Sequence, residues 1–527
     1  MIYCHDIIFT KKILKLENNQ NFYEISLIGL ITTIILAQMV NFLIPLSDYL
    51  LISNIIVLII YLIFNPKILK DNFKINKKIL ILVTIISVVN IYGSGFSDDI
   101  DHYHYGFISN ADKMNFIWGY SFLHPLYSTS PSWLIGHSYL NFEYSRLQDI
   151  HILNGIILFL ILGLFLSELS AKKNKDNFYN PFIFSLIIFI LIKYTRLKEF
   201  GIDRPSVLIF CFLIYYYLKY FLNNNEELLK NFIILSLISI FIISIKIIHL
   251  PILILPLFVF FKFRKKLIKL DLKYLIIILA ALVFALKNLL GTGCLLFPLE
   301  FSCIKLLSWS NFEGAKEFTI FSEAINKSWW QYRGDLTREE YIQNFSWFNT
   351  WFQRGKIEIL ELFLTISLII FFSFISYNLK TNKSYLPNDH LKDLGKILIL
   401  IILSSIFIYF MKNPVIRMNH HTLLSLMILT ILLTFKFDKK KYKKNYIYTF
   451  LIIGLIFNFS KNIIRISNND FINDPKLMIS QKINLPEKKN LGSFTYYMGW
   501  YGNTPVGNQY IDNNNYRRML IFDIIER

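Results

Sequence analysis

The chain returns repeatedly to apolar runs of about 15–20 residues, and this is the feature any fold must satisfy first. At about 1.5 Å per residue, such a run matches the hydrocarbon core of a bilayer. The runs fall at 27–46, 49–64, 79–93, 152–168, 181–194, 205–222, 231–249, 251–263, 273–290, 357–377, 396–411, 420–436 and 446–460. They predict an all-α polytopic membrane protein with about 13 transmembrane helices. The stretch 251–263 is short and opens with Pro251, as expected for one half of a broken or re-entrant pair. Composition agrees: 54% of residues are hydrophobic, 17% are charged, and the mean hydropathy is +0.45. A soluble domain carries about 25% charged residues. A soluble enzyme, a disordered chain, a coiled coil and a disulfide-rich secreted scaffold are thereby excluded.

A net charge of +19 would suggest nucleic acid in a soluble protein. Here the lysines lie mostly in short loops between apolar runs, the positive-inside pattern, and no soluble domain with a basic face is visible. The expected partner is the lipid bilayer, with no nucleic acid. If the N-terminus with Lys11, Lys12 and Lys15 is cytoplasmic, the basic loops 67–78, 172–175, 219–230, 264–273, 380–396 and 439–444 share its side. The long segments 94–150, 291–356 and 461–527 then all fall on the non-cytoplasmic side. Residues 1–460 are expected to form the transmembrane domain and 461–527 a small outer cap with some β character. The polar first 24 residues precede a full-length span without a small-residue cleavage site, so no signal peptide is expected. No Walker A or dinucleotide-binding glycine motif is present, which leaves ATP-driven transport by this chain unsupported. Cys294 and Cys303 share one outer loop; they either form a disulfide, if that loop faces an oxidising compartment, or stand as two small apolar residues.

The first outer loop opens with Gly93-Ser94-Gly95-Phe96-Ser97-Asp98-Asp99-Ile100-Asp101-His102-Tyr103-His104. Neighbouring carboxylates raise one another's pKa, and such a group at a membrane surface can serve as a general base or a divalent-cation site. It can equally cap a helix end. The loop continues through Trp118, Tyr120, Phe122, His124, Tyr127 and Trp133, which predicts short helices lying in the interface. Cations sit at the outer helix ends: Arg204 beside Asp203, Lys246 near His249, Lys287, and Arg417 in Asn413-Pro414-Val415-Ile416-Arg417-Met418-Asn419-His420-His421. A charge in hydrocarbon costs about 3 kcal/mol on insertion scales unless it snorkels or is paired. Together these cations can face an outer cavity that holds a phosphate, for which arginine supplies a bidentate fork. The second outer loop is rich in tryptophan (Trp309, Trp329, Trp330, Trp347, Trp351), which fits either sugar-face stacking or a membrane belt.

The assembled pattern resembles the GT-C superfamily of multi-pass glycosyltransferases, and looks closest to a bacterial branch of multi-pass membrane proteins. The resemblance spans roughly 80–510. It rests on the Asp-x-x-x-Tyr-His pattern of Asp99, Tyr103 and His104, on Lys287-Asn288 followed by Gly293…Phe297-Pro298, and on Pro414…Arg417. It departs from the family in two extra helices before the loop and in the Asp-Asp-Ile-Asp string. The resemblance implies transfer of a sugar from a polyprenyl-phosphate donor to a cell-envelope glycan or lipid acceptor, on the non-cytoplasmic face of a bacterial inner membrane. Asp99, Asp101 or Asp98 would be the catalytic base. Arg417, Lys246, Arg204 and Lys287 would hold the donor phosphate. Tyr103, His104, His124, Trp133 and Asp203 are the candidates for sugar or acceptor binding. A divalent metal, Mg2+ or Mn2+, on Asp98, Asp99 or His104 could also stabilise the leaving phosphate. Two other readings fit the same features: a polysaccharide polymerase or ligase, and a lipid or glycan flippase, which would require paired broken helices in two related halves.

Overall fold

The computed structural model describes residues 21–64, 76–93, 103–129, 131–140, 152–171, 179–195, 197, 201–221, 227–268, 271–343, 345–377, 380–381, 389–436, 444–468, 487–491, 494–498, 506–507, 515–519 and 522–526. The helices that matter here are α1 Phe22–Asn41, α2 Asp48–Phe64, α3 Lys77–Tyr92, α4 Tyr105–Lys113, α5 Tyr120–Leu123, α6 Ser132–Tyr139, α7 Ile152–Ser170, α8 Asn180–Lys193, α9 Asp203–Phe221, α10 Leu228–Ile245, α11 Ile254–Lys262, α12 Arg264–Leu267, α13 Tyr274–Thr292, α14 Phe312–Asn326, α15 Arg338–Ile342, α16 Phe348–Tyr377, α17 Asp389–Met411, α18 His420–Thr434 and α19 Lys444–Ser467. Every apolar run lies on one of these helices, the run 251–263 with a 3-10 turn (Ile247–Leu253) ahead of its helix. Among the described residues, eight helices are long and apolar enough to cross a membrane. Local chemistry sets their ends. Asn21 and Asn76 accept backbone N–H bonds at the starts of α1 and α3, Pro181 occupies the first turn of α8, and Gly293, at φ 74°, ends α13 in the left-handed conformation that a side chain would strain.

Helices α8 and α9 form the centre. Along α8, Phe182, Ile183, Phe184, Ile187, Ile188 and Phe189 are fully buried, and α9 is closed in from Val207 to Tyr216. Around them pack α7, α10, α16, α18 and α19. The outer faces of α2, α13, α16, α17 and α19 expose leucine, isoleucine and phenylalanine in long rows, for example Leu275, Ile278, Leu279, Leu282 and Leu286 on α13. Apolar surface of this extent is rare on a soluble monomer and suits a lipid environment.

Helix α9 connects two charged clusters about 24 Å apart. Near its C-terminal end, Lys219 meets Glu24 of α1 at 2.6 Å and Glu168 of α7 at 3.2 Å; on the same side Lys262 of α11 pairs with Asp393 of α17 at 2.6 Å. At the other end lie Asp203, the end of α10 and the start of α18. The three long segments expected to share one side do meet. Trp118 of the first loop stacks on Trp309 of the second, with ring centroids 4.9 Å apart. It also exchanges two backbone hydrogen bonds with the C-terminal segment: its N–H to Asp523 O, and Ile525 N–H to its own carbonyl, each 2.9 Å.

That C-terminal segment is β-structured: β3 Glu487–Leu491 pairs antiparallel with β4 Phe494–Met498, β4 pairs parallel with β5 Val506–Gly507, and β6 Asn515–Met519 forms a hairpin with β7 Phe522–Glu526. Two-residue strands β1 Lys380–Thr381 and β2 Phe435–Lys436 pair near the opposite end. The last apolar helix runs to Ser467, seven residues past its apolar stretch.

One expectation changes. The short helices of the first loop do not simply lie in the interface: all eight residues of α6 are buried, because Ser132-Trp133-Leu134-Ile135-Gly136-His137-Ser138-Tyr139 has no continuous polar face, and α6 packs on α1, α4 and α10. The stretch opening at Pro251 is part of a broken element, as its sequence suggests: α10 stops at Lys246, whose backbone is extended (φ −154°), the chain turns through a 3-10 segment Ile247–Leu253, and α11 returns beside α10 and α17.

Cys294 and Cys303 form a disulfide, and Cys211 is buried as a free thiol. Accordingly a maleimide should modify neither Cys294 nor Cys303 in the native protein until a reductant is added, and Cys211 only after denaturation; peptide mass mapping reads this directly.

Candidate functional site

At the end of the bundle where the long loops meet, three chain breaks come together. Helix α9 starts at Asp203, α10 stops at Lys246, and a 3-10 turn Ile416–Asn419 leads into α18. Each break leaves backbone groups outside the helical ladder, so side chains and turns must supply partners. The Ser206 hydroxyl donates to Asp203 O at 2.7 Å, His249 N–H reaches Lys246 O at 3.1 Å, and the Asn419 amide donates to Asn413 O and Val415 O at 3.1 and 3.0 Å.

On this frame the Asp203 carboxylate bridges two cations. Oδ1 accepts from Lys246 Nζ, and Oδ2 lies 3.4 Å from Arg417 Nε. Asp203 and Lys246 are mostly buried, at 23% and 19% side-chain exposure, whereas Arg417 is 48% exposed. Arg417 meets Asp203 through Nε, and about half of its side chain is exposed. One carboxylate between an ammonium and a guanidinium leaves the trio one positive charge in excess; Arg204 follows Asp203 in the first turn of α9. Such an excess at the edge of an apolar body attracts an anion.

Behind the trio lies a buried polar network. His249 Nε2 is 2.9 Å from Ser206 Oγ, and His249 Nδ1 is 3.2 Å from His421 Nδ1. His421 Nε2 is 3.2 Å from Ser405 Oγ of α17 and 3.4 Å from Thr422 Oγ1. The neighbouring His420 Nδ1 lies 3.2 Å from Tyr194 OH.

The structure therefore brings Asp203, Lys246 and Arg417 into one cluster. Asp203 is its centre rather than a separate acceptor contact. Lys287 is buried near the end of α13 and donates to Ser244 O at 3.3 Å, two residues before Lys246. Trp133 is fully buried, and its indole N–H donates to Asn154 Oδ1 at 2.7 Å; Asn154 Nδ2 in turn donates to Gly201 O at 3.3 Å. Trp133 thus supports the turn that presents Asp203 instead of offering an exposed ring. His104 is buried beneath Tyr103, with ring centroids 4.2 Å apart. His124 accepts from Leu126 N–H at 3.1 Å and leans on Tyr127. Asp98, Asp99 and Asp101 lie outside the described residues. Among the described residues no group of three or more His, Cys, Asp or Glu side chains is placed to hold a metal ion.

Sequence reasoning missed the His249–His421 link and the role of Asn154. The adjacent His420 and His421 directly after the Arg417 turn were the available signal, since imidazoles on an otherwise apolar helix need polar partners.

The chain belongs to the family described as a domain of unknown function (DUF8201), whose model matches residues 7–422. No curated protein and no solved structure matches it.

Replacing Trp133 with Phe removes the donor to Asn154 and leaves a buried carbonyl oxygen with one partner fewer. The cost should be about 0.5–2 kcal/mol, read as a lowered unfolding midpoint in detergent or nanodiscs. An unchanged midpoint would show that Asn154 does not depend on the indole.

Proposed function

We propose that the chain is a membrane glycosyltransferase that takes a sugar from a polyprenyl-phosphate donor and passes it to a glycan or lipid acceptor of the cell envelope. Its N-terminus would lie in the cytoplasm, and the long loops and C-terminal segment on the outer side of a bacterial inner membrane. The observation that carries this reading is the Asp203–Lys246–Arg417 cluster, a net-cationic, part-exposed group at the edge of an apolar bundle and beneath large folded loops. A lipid-linked phosphate needs that combination: apolar helix faces for the chain, and fixed cations for the charge.

In this mechanism Asp203 orients Arg417 through Nε, leaving the outward edge of the guanidinium to take two phosphate oxygens in a bidentate contact. Lys246 adds a point charge from the other side. As the bond from the sugar's anomeric carbon to the phosphate oxygen breaks, negative charge grows on that oxygen, and the two cations stabilise it more than they stabilise the bound donor. An acceptor hydroxyl attacks the anomeric carbon and gives its proton to a carboxylate of the Asp98–Asp101 group. A divalent metal bound by those acids would supply further charge stabilisation at the phosphate.

The decisive assay follows label from a polyprenyl-phosphate sugar into acceptor in membranes containing the purified chain. Replacing both Asp99 and Asp101 with Asn should abolish transfer without loss of insertion. Arg417→Ala should lower the rate by about 100-fold, and Arg417→Lys should recover only part of it, because an ammonium lacks the planar fork. Full activity of Arg417→Ala would remove the phosphate role.

A further inference from the structure

The buried imidazoles have a proton arrangement that the hydrogen bonds dictate. The Ser206 hydroxyl has one proton, and it is committed to the backbone carbonyl of Asp203 at 2.7 Å. Ser206 Oγ can therefore only accept from His249, which makes His249 Nε2 the protonated nitrogen. A neutral His249 then presents a bare Nδ1. The facing atom, His421 Nδ1 at 3.2 Å, must carry a proton for the contact to be attractive. That leaves His421 Nε2 as an acceptor, and it faces two hydroxyls, Ser405 Oγ and Thr422 Oγ1. The bonds run in one direction: Ser405 to His421, His421 to His249, His249 to Ser206, and Ser206 to the Asp203 carbonyl. Both rings are buried.

This chain spans the breaks that carry the cations. His249 lies in the turn that begins at Lys246, to whose carbonyl its N–H is bonded. His421 lies one helical turn after Arg417, and Ser206 lies in the first turn of α9 behind Asp203. We propose that His249 and His421 are positioning residues, a neutral clamp that fixes Lys246 and Arg417 at the separation a phosphate requires. The clamp's use rests on the phosphate reading above; its existence does not. Neither ring needs to touch the ligand.

The clamp tolerates one proton fewer than its nitrogens can hold. A second proton on His249 places an N–H against the N–H of His421, and the bond between the rings is lost. The charged and titratable groups around His249 are Lys246 of its own turn, Asp203 and Arg204 at the start of α9, and Arg417, His420 and His421 at the start of α18; α17 presents Ser405 to His421. The clamp is therefore the neutral form of both rings.

Two measurements on the full chain in nanodiscs test this. The first uses protein labelled with 15N at histidine, with His249→Gln and His421→Asn used to assign the signals. At pH 8, His249 should show a protonated Nε2 and a bare Nδ1, and His421 the reverse. Two rings of the same tautomer, or an imidazolium at that pH, would overturn the clamp. The second is binding of a short-chain polyprenyl methyl phosphodiester, whose own charge is constant between pH 5.5 and 8. At pH 8, His249→Leu should bind about tenfold more weakly than wild type, because the bond between the two turns is lost. His421→Asn keeps an N–H donor close to the Nδ1 position and should retain near-wild-type affinity at pH 8, whereas His421→Leu should not. Undiminished binding by both His249→Leu and His421→Leu would overturn the clamp and leave the phosphate site standing. The expected tautomers without probe binding at any pH would overturn the phosphate site and leave the clamp standing.

Discussion

The bridge from Asp203 to Lys246 and Arg417 is the contact on which the loop-bearing end of this molecule depends. Each of the three helices that contribute to it is interrupted at that level, and an interrupted helix in an apolar body exposes backbone groups and isolates charges. A single carboxylate solves both difficulties by holding two cations that would otherwise repel each other. The surrounding turns satisfy the freed carbonyls with Ser206, His249 and Asn419. Neither cation is fully neutralised, and Arg417 stays half exposed, so the cluster is both a fastening and a place for an anion.

The support for this cluster comes from below and from above. Below it, α8 and α9 are packed on all sides and fix the direction of Asp203. Above it, the first long loop folds inward as a buried helix, α6, and through Trp133 and Asn154 it reaches the turn before Asp203. The second loop, an aromatic assembly around Trp347, Tyr341 and Trp351, is tied to the other side of the cluster, where the Trp351 indole donates to Pro414 O at 2.6 Å.

The long elements were legible in the sequence because hydrocarbon leaves backbone no alternative to helix, and every apolar run does lie on one. The grouping of the long segments followed from their spacing between apolar runs, and described parts of all three do meet, at Trp118, Trp309 and Asp523. The pairings were not legible. His249 and His421 are 172 residues apart, and nothing local tells one imidazole which ring it will face. Trp133 shows the same limit from the other direction: an indole in a polar-looking loop reads as exposed, yet α6 has apolar side chains all around it and sinks into the bundle. Arg417 and Lys246 could be named as cations at helix ends, but that Asp203 would join them followed from three helices breaking at one level.

Helix α16 has one more consequence. At 30 residues it is about 45 Å long, against about 30 Å of hydrocarbon. It must either lean within the bilayer or stand out of it by several turns, and the thickness of the surrounding lipid decides which. Trp351 lies in the first turn of this helix, and its indole donates to Pro414 O, three residues before Arg417, so any lean of α16 would bear first on the turn that carries the guanidinium.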